Sequence, residues 1–127
     1  MIKPSTIPER ISRVLSINPD APAIEFKGQW LPWRFISDVA ERLDHILNSN
    51  GIGEGATVGL FSRTKPTVAA ALAALTKTSR CTVFINPHES PSRIAEEIAH
   101  HNLACVIGDT VEWKSEVIVD AVRKTGG

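Results

Sequence analysis

The sequence predicts an α/β fold with three layers, in which helices flank a mainly parallel sheet and a small N-terminal β-hairpin precedes it. Three short apolar runs do not alternate between polar and apolar residues, which is typical of parallel strands covered on both faces. Segments of helical periodicity separate these runs, and this alternation favours a doubly wound sheet. The length of 127 residues suits one domain. We therefore expect residues 1–127 to form a single α/β subdomain.

Proline and glycine mark the first helix and the hairpin. Apolar residues recur at helical spacing over residues 7–17, and residues 18–22 end that helix because proline removes an N–H donor. Residues 23–26 and 29–31 are typical of short strands, and Lys27-Gly28 between them is typical of a turn. The N-terminal part therefore predicts one helix followed by a hairpin.

A longer helix is predicted to begin at Trp33. Its apolar residues form one stripe with charged residues opposite, as in a helix with one buried face. Asn50-Gly51 ends it, because these residue types accept the left-handed backbone that closes a helix. Residues 51–57 are glycine-rich, but they follow a helix and precede a strand, which is the reverse of the order in a dinucleotide-binding loop. We interpret them as a connecting turn.

Strands and helices alternate in the remainder of the chain. Ser90 is expected at a helix N-cap, with Pro91 at the first helical position. The helix over 66–78 is apolar on almost every side, which indicates burial against more than one neighbour. We expect it to meet either the remainder of a longer protein or a self-associating copy of this chain. The expected strands cover residues 57–61, 81–85 and 103–107, and the expected helices cover 66–77, 91–102 and 115–124.

Charge and hydropathy argue against several classes of partner. Fourteen basic and fourteen acidic side chains give a formal net charge of zero, whereas nucleic-acid binding rests on neutralised phosphates. The longest apolar run, residues 68–75, is far shorter than the about 20 residues of a membrane span. Residues 1–5 carry no apolar signal segment. Cys81 and Cys105 are interpreted as reduced thiols, and we expect a cytoplasmic protein with no nucleic-acid partner and no membrane span.

Candidate binding residues lie beyond the carboxyl ends of the expected strands, where open α/β sheets bind their ligands. Arg63, Lys65 and His88 stand in these loops, where their charge is able to attract an anion near a helix N-terminus. Capping and turn formation explain the same loops equally well. Both interpretations stay open, and no catalytic residue is assigned.

A metal site is not predicted. Glu96 with His100, and Glu97 with His101, have the spacing of neighbours on a helix surface, but the sequence offers no third ligand. We interpret these four side chains as the solvated face of a helix, with the histidines near its C-terminus, where positive charge is favourable.

Five segments occur in the order and spacing of a known family. Residues 18–24 stand where that family has Pro-Asp-x-x-Ala-Leu, and residues 28–36 stand in the place of its Leu-Thr-Tyr-x-Glu-Leu. Residues 51–60 are similar to Gly-Val-x-x-Gly-Asp-x-Val-Ala-Leu, and residues 85–87 follow an Ala-rich helix as Pro-Leu-Asn-Pro does. Residues 91–109 are similar to the helix and strand that close this region. Over 18–109 the chain thus resembles the N-terminal part of the AMP-forming, acyl-adenylate-forming enzymes, which include acyl-CoA synthetases, adenylation domains and luciferases.

The sequence departs from the family pattern at three places. Residues 77–80, Lys-Thr-Ser-Arg, replace the usual Lys-Ala-Gly-Ala, and Phe84 replaces a proline. In the family, the residue after Asn-Pro is often Arg, and in some relatives this Arg lies near the nucleotide end of CoA. His88 stands at that position in this chain. The resemblance therefore implies a place for His88 on the CoA side of the complete enzyme.

The resemblance also implies the reaction. The complete enzyme would use ATP and Mg²⁺ to convert a carboxylate into an acyl-adenylate and pyrophosphate, and would then form a thioester with CoA. The family's phosphate loop is missing from this chain, and its Tyr-Gly-x-Thr-Glu motif is excluded because the chain has no tyrosine. We therefore expect an N-terminal fragment that is inactive by itself, needs no cofactor of its own, and has the remainder of the enzyme as its partner.

Two other classes of protein stay open. One is a stand-alone, non-catalytic α/β binding or interaction module, and the other is a flavodoxin-like nucleotide-binding domain. Continuation of the gene into a Thr-Ser-Gly-rich loop with a lysine favours the fragment, whereas a stop codon after residue 127 favours the module. Titration with FMN or ATP tests the third class.

Overall fold

The computed structural model describes residues 6–125. Residues 1–5, for which no signal segment is expected, and residues 126–127 lie outside the described residues. The described chain divides into two compact units. Unit 1 comprises the chain up to Glu54 together with Thr64–Arg80, and unit 2 comprises Gly55–Arg63 together with the chain from Cys81 onward. The single subdomain expected over 1–127 stays a prediction.

Unit 1 combines three helices with the predicted hairpin. Thr6 caps the first helix in a capping box, because its hydroxyl accepts the N–H of Glu9 while the Glu9 carboxylate accepts the N–H of Thr6. In the antiparallel hairpin, Lys27 and Gly28 have φ values of 52° and 79°, as two-residue hairpin turns require. The elements are α1 (Ile7–Ile17), β1 (Pro22–Phe26), β2 (Gln29–Pro32), α2 (Trp33–Ser49) and α3 (Pro66–Lys77).

The core of unit 1 lies where its three helices meet. Leu15 of α1, Ile36 of α2 and Ala70 of α3 are buried together, and Ile24 and Trp33 pack against them. The small side chain of Ala70 is fully covered, so α3 closely approaches the other two helices.

Much of the surface of the apolar helix α3 is buried. Its buried residues include Ala70, Ala74 and Leu75, while Thr67 and Ala69 are exposed. These two exposed positions lie on nearly opposite sides of the helix, because two residues span about 200° of rotation. The expectation that another part of a longer protein, or a second copy, meets this helix stays a prediction.

A buried arginine follows α3 at the end of unit 1. Arg80 is 6% exposed, and its guanidinium donates to the carbonyl oxygen of Ile52, at 3.1 Å from Nε and 2.6 Å from Nη2. The same group donates to Asp44 Oδ1 at 2.7 Å, to Asn48 Oδ1 at 3.0 Å and to Thr78 Oγ1 at 2.6 Å. Asp44 and Asn48 lie on α2, so Arg80 joins the last turns of α2 to the end of α3.

Unit 2 is a three-stranded parallel sheet with two helices. Its elements are β3 (Thr57–Phe61), β4 (Cys81–Ile85), α4 (Pro91–His100), β5 (Cys105–Ile107) and α5 (Glu116–Lys124), with a 3₁₀ turn at Glu112–Lys114. The strand order is β4-β3-β5, and both pairings are parallel. The mixed α/β fold, the parallel sheet, the flanking helices and the hairpin are therefore confirmed.

The core of unit 2 forms between one face of the sheet and both helices. Phe61 and Ile85 from the sheet are buried with Ile98 of α4 and Ile118 of α5. A Cβ atom at Gly59 would lie 2.9 Å from Leu103 Cδ1 and 3.0 Å from Ile85 Cδ1, so a side chain at this position would displace the ends of these two core side chains.

Three boundaries in unit 2 differ from the prediction. The third strand begins at Cys105, and Leu103, which was expected within it, lies in the core of unit 2 ahead of the strand. Helix α4 ends at His100, and His101 is extended at its C-cap. The 3₁₀ turn before α5 was not predicted, and α5 begins one residue later than expected.

The edge strand β4 also departs from the expected burial. The central strand β3 is buried from Val58 to Phe61, whereas Phe84 of β4 is 55% exposed. An edge strand has a neighbour on one side alone, which explains the difference. No helix within residues 6–125 combines the length and hydropathy that a bilayer crossing requires.

We expect Arg80→Met to lower the free energy of unfolding by about 2–4 kcal/mol, because the hydrogen bonds of a buried guanidinium to α2, to Ile52 and to Thr78 are lost. Urea unfolding followed by circular dichroism measures this difference. Arg34→Met is the matched control, since Arg34 pairs with Asp20 where both side chains are exposed, and its unfolding midpoint should stay nearly unchanged. Equal midpoints for the two variants would contradict the role given to Arg80.

We expect Ser79→Gly to raise the free energy of unfolding by up to about 1 kcal/mol, because left-handed backbone is unfavourable for a residue with a Cβ atom. Ser79 has a φ of 58° and stands where the family that this sequence resembles has glycine. Ser49→Gly, in the last turn of α2, serves as the control and should lower stability. Thermal unfolding of the two variants gives the comparison, and a destabilised Ser79→Gly protein would refute the argument.

Candidate functional site

The strand order places a candidate site at the carboxyl edge of the sheet in unit 2. The chain runs from β3 to the neighbour on one side, β4, and then passes to the neighbour on the other side, β5. In sheets wound in this order, ligands bind where the winding direction reverses, beyond the carboxyl ends of the two strands concerned. Here that position lies between the ends of β3 and β5.

An ion pair occupies this position. Arg63 follows β3, and its Nε donates to Oε1 of Glu112 at 2.5 Å, while Nη2 contacts the same oxygen. The side chain of Glu112 is 2% exposed and that of Arg63 is 25% exposed. A buried carboxylate is therefore neutralised by a guanidinium that still reaches solvent.

The second carboxylate oxygen of Glu112 holds the loop after β5. The backbone N–H of Asp109 donates to Oε2 of Glu112 at 2.5 Å. Asp109 in turn shapes the loop, because its Oδ1 accepts the N–H of Thr110 at 2.7 Å. One buried carboxylate thus links the end of β3 to the loop after β5.

Aromatic side chains fill the space beside this ion pair. The rings of Phe61 and Trp113 meet edge to face, with centroids 6.2 Å apart. A Cβ atom at Gly108 would lie 3.0 Å from Phe61 Cδ2, 3.1 Å from Trp113 Cζ2 and 3.3 Å from Glu112 Oε2. Glycine at position 108 therefore allows the loop to lie close to the ion pair.

The sequence did not identify Glu112 or Trp113 as residues of this position. Arg63 and Glu112 are 49 residues apart in the chain, and no local pattern connects them. The available signal was an acidic residue between apolar Val111 and Trp113, directly after the loop that follows β5. A buried carboxylate at such a position requires a cation, and Arg63 was the arginine predicted at the neighbouring strand end.

The three candidate residues from the sequence occupy different environments. Arg63 directs its guanidinium at Glu112. Lys65 belongs to unit 1, where it is the N-cap of α3 and its carbonyl oxygen accepts the N–H of Val68 at 3.1 Å. His88 is exposed in the loop after β4, and its backbone N–H donates to Asn86 Oδ1 at 2.9 Å. Their roles toward a ligand stay predictions.

The histidines of α4 lie together at the end of that helix. The rings of His100 and His101 meet edge to face, with centroids 5.4 Å apart. Over residues 6–125 no group of three or more His, Cys, Asp or Glu side chains is arranged to hold a metal ion. The thiol of Cys81 is exposed, that of Cys105 is partly buried, and neither is in a disulfide.

A second arginine–carboxylate pair lies on the surface of unit 1. Arg34 donates to Asp20 Oδ1 from Nε at 3.3 Å and from Nη2 at 2.8 Å. This hydrogen bond, together with the charge of Asp20, raises the pKa of Arg34 above its ordinary value. Arg34 therefore stays cationic at every physiological pH and does not transfer protons.

Comparison with known proteins gives a family and a fold. The family model described as AMP-binding enzyme matches residues 12–126. Surfactin synthase subunit 3 of Bacillus subtilis is 27% identical over 93 residues, which are 73% of this chain and 7% of that protein. This chain therefore spans a small part of that curated relative.

Two solved structures share the fold. The anthranilate CoA ligase AuaEII, in complex with anthranoyl-AMP, has a TM-score of 0.78 at 16% identity, over 95% of this chain and 23% of that chain. The N-terminal subdomain of Klebsiella oxytoca NpsA, in complex with anthranilyl-AMSN, has a TM-score of 0.71 at 22% identity, over 83% of this chain and 27% of that chain. At these identities the similarity concerns the fold.

We expect Glu112→Gln to lower the free energy of unfolding by about 2–4 kcal/mol, because it removes one charge of a largely buried ion pair. Asp120→Asn is the matched control, since Asp120 and Arg123 form an exposed pair at 3.9 Å, and it should change stability by less than about 0.5 kcal/mol. Chemical unfolding of both variants measures the effect. If Glu112→Gln is no more destabilising than the control, the ion pair does not hold this edge of the sheet.

Proposed function

This chain belongs to the AMP-binding enzyme family, and from that premise we propose that it is the N-terminal part of an ATP-dependent acyl-activating ligase. The proposed enzyme joins a carboxylate to the AMP moiety of ATP and releases pyrophosphate. In a second step the thiol of CoA attacks the acyl-adenylate, so that a thioester forms and AMP leaves.

The family match over residues 12–126 is the observation that supports this proposal. The match covers nearly the whole chain, whereas the chain covers 7% of surfactin synthase subunit 3 and 23% of the anthranilate CoA ligase. A segment of this kind supplies one part of a much larger active protein. The cytoplasm, where ATP and CoA are abundant, is the proposed location.

The proposed role of this chain is that of a scaffold. Adenylate formation requires groups that stabilise the charge developing on the transferred phosphoryl group, with Mg²⁺ among them. Arg63 and Glu112, at the carboxyl edge of unit 2, are engaged with each other, and Glu112 also accepts the backbone N–H of Asp109. We therefore propose that the 127-residue chain is inactive alone and that ATP, Mg²⁺ and CoA bind when the remainder of the enzyme is present.

Two surfaces are proposed to face that remainder. His88, exposed in the loop after β4, is proposed to lie on the CoA side of the complete site. The exposed positions Thr67 and Ala69 of α3 are proposed to contact later parts of the enzyme. A basic residue at an exposed loop is suited to a phosphate-bearing cofactor.

We expect the purified 127-residue chain to release no pyrophosphate above a no-protein control, with ATP, Mg²⁺ and a panel of aliphatic and aromatic carboxylates. We also expect an antibody raised against this chain to detect a polypeptide several times larger than 13.8 kDa in cells that carry the gene. The protein isolated with that antibody is the positive control and should release pyrophosphate with one of the carboxylates.

The two measurements separate the possible failures. Pyrophosphate release by the 127-residue chain would show that it is active alone. A native polypeptide of 13.8 kDa would contradict the proposal that this chain is part of a larger enzyme, and would favour a stand-alone, non-catalytic binding module.

A further inference from the structure

The outer edge of β4 carries hydrogen-bonding groups that point away from the sheet. The N–H of Cys81 donates to Ala56 O at 2.8 Å, and Ile85 O accepts the N–H of Ser62 at 3.0 Å, so residues 81 and 85 face β3. Backbone groups alternate in direction along a strand. The N–H and C=O groups of Thr82 and Phe84 therefore point outward, and within residues 6–125 no strand pairs with this side of β4.

This edge lacks the features by which proteins keep strand edges from pairing. Residues 81–85, Cys-Thr-Val-Phe-Ile, contain no charge, no proline and no glycine. The strand pairs with β3 over five consecutive residues without a bulge. Phe84, a large apolar side chain, is 55% exposed at the same edge. Such an edge favours the addition of another strand.

We propose that β4 pairs with β4 of a second copy of this chain, antiparallel and across a two-fold axis at Val83. The outward-pointing residues Thr82 and Phe84 flank Val83 symmetrically, so the strand is its own complement in this arrangement. Thr82 of one copy lies opposite Phe84 of the other, and each of these pairs exchanges two backbone hydrogen bonds. The two sheets join into one, as often occurs with an antiparallel strand at the border of a parallel sheet.

The side chains fit the same arrangement. Because side chains alternate between the faces of a strand, Thr82 and Phe84 lie on one face, and each exposed Phe84 ring is placed beside the small Thr82 of the other copy. The uncharged strand creates no repulsion between copies, and the chain has a formal net charge of zero. This association goes beyond the proposed function and is a property of the 127-residue chain itself.

Disulfide trapping of the full chain tests the proposed register. At the two-fold axis the two Val83 residues form a non-hydrogen-bonded pair, with Cα atoms about 4.5 Å apart, within the range that a disulfide accepts. In a background of Cys81→Ser and Cys105→Ser, Val83→Cys should form a disulfide-linked dimer under mild oxidation. Val106→Cys is the matched control, because Val106 is a partly buried valine on the opposite edge strand, and it should form no disulfide-linked dimer.

Sedimentation equilibrium of the chain with its natural cysteines, under reducing conditions, provides the second test. Phe84→Lys should raise the dissociation constant of the dimer at least tenfold, because a charge then occupies the pairing edge. Ala69→Lys, at an exposed position of α3, should leave that constant unchanged.

Three results would overturn the proposal. The first is a chain that stays monomeric at every concentration reached, and the second is a Val83→Cys disulfide that forms no faster than that of Val106→Cys. The third is a dimer that survives Phe84→Lys and is lost in Ala69→Lys, which would assign the association to α3. None of these results depends on the size of the native polypeptide, so the proposed function is tested separately.

Discussion

The guanidinium of Arg80 sets the strongest constraint on unit 1. A group with five N–H donors that is 6% exposed needs acceptors from the protein, since unpaired donors of a buried cation are costly. Its acceptors come from the last turns of α2, from the turn at Ile52 and from Thr78 at the end of α3. The positions at which two helices end are therefore tied to one side chain, and the chain enters β4 at the next residue.

The turn that contains Arg80 is also where this chain departs from the family pattern. Where the family has Lys-Ala-Gly-Ala, residues 77–80 are Lys-Thr-Ser-Arg. Ser79 adopts the left-handed backbone that glycine would take without strain, at a φ of 58°. The hydrogen bonds of Arg80, and the bond from Thr78 Oγ1 to Ala74 O at 2.7 Å, offset that strain. The replacements thus act together to form the turn.

Local pattern predicted those elements whose limits are set by local chemistry. The limits of α1, β3, α3 and β4 follow from proline positions and from apolar periodicity, and the structure has the same limits. The sequence was less informative where the limits of an element depend on residues that are distant in the chain. The 3₁₀ turn is held by Glu112, whose partner Arg63 is 49 residues away in the chain. Similarly, no local signal placed Leu103 in the core instead of in β5.

Trp113, which lies edge to face with Phe61, gives the protein a spectroscopic asymmetry. The chain has three tryptophans and no tyrosine, so excitation of its fluorescence reaches tryptophan alone at every usual wavelength. Two of these indoles, Trp30 and Trp33, belong to unit 1, and Trp113 is the indole of unit 2. Its contact with Phe61 places it beside the Arg63–Glu112 pair. A chain retaining only this indole would thus emit light that reports on the carboxyl edge of the sheet and on no other part of the fold.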